Sequence, residues 1–191
     1  YLHYTSKEGL FEDLLLRAST HVMHDLAHRL ESDPIGGTLA GFYSNALVAI
    51  AANPLTRALY SNDKRALGDF THYMMNSPQY QPLMALGADF VTRCQAEGLI
   101  RQDLSAKAVT AILVALRYGF LMLDEALPAG EQASLDEIGH ALGAVLQEGL
   151  NPHATGDTTA NKQAYVNLVT QAAEMIQQQR LTTKGKNDDR H

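Results

Sequence analysis

Apolar residues along this chain return every three or four positions, and the in-and-out alternation that marks β-strands is absent. That period predicts an all-α protein. Phe11, Leu15, Ala18, Val22, Leu26 and Leu30 form one stripe behind an N-capping Ser6 and the early acidic Glu8, which predicts a long amphipathic helix over about 6 to 31. Asp33-Pro34 and Gly36-Gly37 stop it. Thr38 then caps a helix carrying Leu39, Phe42, Ala46, Leu47 and Ile50, which ends near Asn53-Pro54. A short helix follows over Pro54 to Tyr60, and another from Asp63 to Asn76 sets Leu67, Phe70 and Met74 on one face before Ser77-Pro78 breaks or kinks it. The pattern resumes with Leu83, Leu86, Phe90 and Cys94 and closes at Gly98, a C-capping residue.

The segment from Ser105 to Leu127 differs, because AVTAILVALRYGFLMLDEAL leaves almost no polar face. A helix apolar all round must be covered on more than one side. One cover is its own domain; the second is expected to be another subunit. After Pro128-Ala129-Gly130, Ser134 caps a helix whose Leu135, Ile138, Leu142 and Val145 step by three, four and three, a seam suited to a helix bundle. Ile112, Leu116, Leu135, Ile138, Leu142 and Val145 are therefore the expected dimer interface. Residues 151 to 160 read as a linker, 161 to 181 as a last helix with Tyr165, Leu168, Val169, Ala172 and Ile176 on one stripe, and 182 to 191 as a disordered tail.

Composition narrows the class. The 191 residues are 46% hydrophobic and 19% charged, enough for a self-sufficient core and against wholesale disorder. The net charge of -6 lacks the positive field of an autonomous nucleic-acid binder, so any DNA role must reside in a small local part. A single Cys94 allows no internal disulfide and fits a reducing, cytoplasmic compartment. The opening residues carry no signal-peptide pattern. The longest apolar run, Ala108 to Leu123, is interrupted by Arg117 and falls short of the roughly 20 residues that span a bilayer.

The opening YLHYTSKEGL resembles the junction of TetR-family repressors, where the DNA-reading helix runs into the first helix of the ligand domain. Tyr1, His3, Tyr4, Ser6, Lys7, Glu8 and Leu10 match that pattern in register, with Tyr4 standing where Phe is commoner. The resemblance implies a TetR-like ligand-binding and dimerisation domain over 7 to 152, followed by a linker and C-terminal helix over 153 to 181. It also implies that 1 to 6 are the end of a helix-turn-helix domain whose roughly 35 to 45 preceding residues are missing. Such a protein is a homodimer that binds operator DNA, usually as a repressor, and is released by a small-molecule effector; no cofactor is implied. Tyr1, His3 and Lys7 carry short polar tips or a point charge suited to phosphate oxygens and not to base edges. The plainer reading is that the tyrosines pack the small domain on the long helix while Lys7 and Glu8 solvate its start.

The resemblance also implies an effector pocket inside the helical body, for which Phe42, Phe70, Met74, Met84, Phe90, Tyr118 and Leu121 are candidate lining, although any one such residue is more often plain core. Arg117 is sharper. A guanidinium among such apolar neighbours either anchors an anionic ligand, pairs with a carboxylate such as Asp69, Asp89 or Asp124, or snorkels outward at an interface. His21, His24 and His28 fall within an arc of about 60° on the long helix and suggest a metal-responsive variant, but Arg17 shares the arc and a solvated face is the simpler account. Cys94 has no partner motif, Gly36-Gly37 follows a helix and not a strand, and no HExxH or paired-carboxylate motif occurs, so no enzyme is expected. The alternative of another class is a helical small-molecule carrier without DNA binding.

Overall fold

A computed structural model describes residues 4, 7–70, 72–73, 81–123, 127–128, 133–151 and 158–188, without the side chains of 7, 8, 81–84, 86, 158 and 183–188. The described residues are helical, with no strand among them. The elements are α1 (Lys7–Ser32), α2 (Leu39–Ala52), α3 (Pro54–Tyr60), α4 (Lys64–Leu67), α5 (Gln81–Ala96), α6 (Ala106–Leu121), α7 (Leu135–Leu150) and α8 (Thr158–Asp188).

Side-chain caps explain several of these boundaries. Thr38 accepts from the Gly41 amide at α2, Asn53 from Leu55 and Thr56 at α3, and Asp63 from Arg65 and Ala66 at α4. Ser134 opens α7 with a full capping box, its hydroxyl taking the Glu137 amide while the Glu137 carboxylate takes the Ser134 amide. The Ser134 hydroxyl, which also donates to the Glu137 carboxylate, and then the Ser134 amide hold that carboxyl below its usual range.

The core is built from α1 and α8 lying together and from α2 and α7 lying together. Lys162 near the start of α8 donates to the Asp33 carbonyl beyond the end of α1 at 2.6 Å, while Arg180 near the end of α8 reaches Asp13 near the start of α1. The two helices therefore run antiparallel. Val22, Leu26 and Leu30 of α1 face Tyr165, Val166 and Val169 of α8 in one buried cluster that also takes in α2, α5, α6 and α7. A smaller cluster of Leu15, Ala58, Leu67 and Phe70 lies apart, with Phe11 edge-on to Phe70 at 5.1 Å.

The α2–α7 contact depends on glycine. A Cβ added at Gly143 would stand 2.5 Å from the Ala40 carbonyl oxygen, and one at Gly139 would stand 3.1 Å from Ser44 Oγ. Two glycines four apart put the backbones of the two helices in contact.

Three boundaries differ from the periodicity. The helix expected from Asp63 to Asn76 breaks at Gly68, whose φ of +55° leaves the helical region after one turn of α4; residues 74–80 lie outside the described residues. The α6 helix stops at Leu121 and not at Leu127, since the Met122 amide turns back to the Tyr118 and Gly119 carbonyls and tightens the last turn. The last helix begins at Thr158 and continues to Asp188, past the end expected at 181. No proline interrupts it.

Candidate functional site

The outer faces of α6 and α7 form an open groove of about 430 Å3. Its walls are Ala115, Leu116, Gly119, Phe120 and Leu123 on one side and Ile138, Ala141, Leu142 and Val145 on the other. No charged residue is among them. Each helix spends another face on the core, where Val109 and Leu121 of α6 and Gly139, Gly143, Leu146 and Leu150 of α7 are buried, and the buried Phe120 lies between the two faces of α6. What remains apolar outside is large: Ile112 is 48% exposed, Val114 44% and Val145 68%. Among the described residues this is an apolar patch of the kind that association surfaces share. Of the expected interface residues, Leu116, Ile138, Leu142 and Val145 line the groove, while Ile112 and Leu135 are exposed on the same two helices.

The expected effector-lining residues do not converge on one place. Phe42 stacks between Phe90 at 4.7 Å and Tyr165 at 4.6 Å, so these rings fill the centre of the body. Leu121 belongs to the same cluster. Phe70 sits in the separate small cluster, because the turn at Gly68 carries it away from the α2 and α5 aromatics. Tyr118 is 45% exposed, turned from the core. Met74 and the side chain of Met84 lie outside the described residues, as do Tyr1, His3 and the side chain of Lys7.

Arg117 takes neither of its expected carboxylates among the described residues. Asp69 and Asp89 are exposed and unpaired with it, and Asp124 lies outside the described residues. The guanidinium instead lies over the Tyr60 ring, Cζ 4.3 Å from its centroid, and its buried Nε–H has no acceptor. Its positive charge bears on Tyr43, whose hydroxyl donates to the Leu113 carbonyl at 2.7 Å; burial dominates there and pushes the phenol up to about 12. The arrangement leaves a cation with one buried, unsatisfied donor between α3 and α6.

Two further buried groups carry polar atoms into the core. Tyr165, fully buried, has a hydroxyl with no partner, and burial raises its pKa. Cys94 is fully buried beside it, and desolvation pushes the thiol up to about 12. Their position on apolar stripes marked them as core, but nothing in the spacing showed that the hydroxyl would be left without an acceptor. His21, His24 and His28 are exposed on α1, and no group of three or more potential metal ligands gathers among the described residues. Among those residues no helix is long and apolar enough to cross a membrane. Comparison with protein-family models, curated proteins and solved structures gave no match.

Proposed function

We propose that this chain is the effector-binding and dimerisation body of a TetR-type transcription regulator, a cytoplasmic homodimeric repressor that leaves its operator when a small hydrophobic or aromatic molecule binds among its helices. The observation that carries the reading is the α6–α7 groove, flanked by two consecutive helices that each turn a second apolar face outward. A second copy is its natural occupant, since two helices presented about a twofold axis meet the same two helices and close a four-helix seam. The YLHYTSKEGL junction supplies the DNA side of the proposal, and Arg117 the anchor for an effector with a negative or strongly accepting group. No chemistry is required: an effector that prefers one spacing of the two reading heads shifts the population away from the bound form.

The full polypeptide encoded by the gene, incubated with DNA from its own promoter region, should protect a two-part site whose halves are about one helical turn apart, with affinity falling steeply with salt. Failure to bind any duplex DNA, together with tight uptake of a hydrophobic ligand, overturns the proposal in favour of a helical carrier.

A further inference from the structure

The carboxyl-terminal half of α8 is fastened differently from its first half. Tyr165, Val166, Val169, Ala173 and Ile176 are buried, but after Ile176 no described side chain of the helix is. There Arg180 takes over, donating from Nε to Asp13 Oδ1 at 2.6 Å. Asp13 is only 5% exposed, and its second oxygen, Oδ2, accepts from the Tyr4 hydroxyl at 2.6 Å. One buried carboxylate thus joins a helix from the far end of the chain to the aromatic residue at the near end.

The charges around that carboxylate make the two bonds interdependent. Arg17 of α1 adds positive potential from a distance, whereas the neighbouring Glu12 is 6% exposed and its Oε1 has no hydrogen-bond partner. Without Arg180, Asp13 keeps its burial and loses its nearest cation. A buried unpaired charge is not retained; it takes up a proton or turns out to water. Either outcome weakens the ionised acceptor that Tyr4 holds.

We propose that α8 is a latch on the amino-terminal junction: Arg180 seated on Asp13 keeps Tyr4 tied to α1, and lifting the last turns of α8 sets Tyr4 free. The device is a conformational one, and it stands whether or not the chain regulates DNA. It makes the seating of α8 a control over whatever the junction carries.

Hydrogen exchange on the full chain, followed by mass spectrometry, tests it. Tyr4→Phe should speed exchange about tenfold in the peptide covering residues 1–12 and leave the end of α8 unchanged. Arg180→Gln should speed both regions, and the double variant should exchange in residues 1–12 no faster than Tyr4→Phe alone, because the tyrosine is already released. Arg180→Lys, which keeps the charge, should give the same pattern with a smaller factor and serves if the glutamine variant unfolds. Acceleration confined to α8 in both Arg180 variants, or independent multiplying effects in the double variant, overturns the latch.

Discussion

At Gly143 only a hydrogen fits, because α7 rides directly on the Ala40 carbonyl of α2. Gly143→Ala is expected to cost about 1–3 kcal/mol in chemical denaturation by forcing the helices apart, whereas the same change at Gly149, where a Cβ meets nothing, should be neutral or stabilising. Arg117 gives the opposite forecast. Since among the described residues the guanidinium holds a ring face and no carboxylate, Arg117→Leu should change stability by no more than about 1 kcal/mol, the scale of one cation–π contact; a loss of several kcal/mol would reveal a buried ion pair. The same variant should abolish any response to an anionic effector. Sequence made Arg117 conspicuous by surrounding it with apolar residues, yet its aromatic partner on α3 has no periodic relation to it, so only the folded arrangement could supply Tyr60. Cys94 was legible as core from its stripe alone. Its thiol, buried and pushed up to about 12, should resist a neutral-pH thiol reagent in the native protein and react at the rate of unfolding.

Helices with one polar face were easy to place from their period, and α1, α2 and α7 begin within a residue or so of the expected sites because Thr38 and Ser134 cap them and α1 opens at Lys7. The interruption at Gly68 was hidden, since a single glycine is compatible with a helix interior as well as with the positive φ it adopts here. The two-faced character of α6 was read from composition, and the structure shows the faces separately, one in the core and one along the groove. At this scale the proposed seam makes its prediction. Ile138→Arg or Leu142→Arg should convert a species of twice 20.9 kDa into a monomer by light scattering, while Leu146→Ala, on the buried side of the same helix, should lower stability by about 2–5 kcal/mol without changing the mass at low temperature. An unaltered mass for both arginine variants removes the groove as the subunit contact.

For the whole molecule, charge state sets the window of stability. Burial opposes ionisation of Asp13, but the hydrogen bonds from Arg180 and Tyr4 outweigh it and hold the carboxyl below the ordinary range. Its contribution is therefore complete above the unfolded carboxylate pKa and is lost as pH falls through the lower folded value. The neutral forms of Cys94 and Tyr43 act on the other side: both are raised by burial to about 12, so their contributions are present below the unfolded values and disappear as pH climbs toward 12. Thermal melting should show a plateau from mildly acidic pH to about pH 9, falling on both sides, and Asp13→Asn should flatten the acid limb specifically.

The backbone-to-backbone seat of α7 on α2 carries one more implication. Where large side chains separate helices, each can swivel a little and absorb a push; here the glycines leave no such cushion. Pressure on the outward ridge of α7 passes straight into the α2 rod, and through Asn45 to the corner at Asp33, which Lys162 also grips from the opening turn of α8. An event at the rim of the molecule is in this way mechanically audible two helices away.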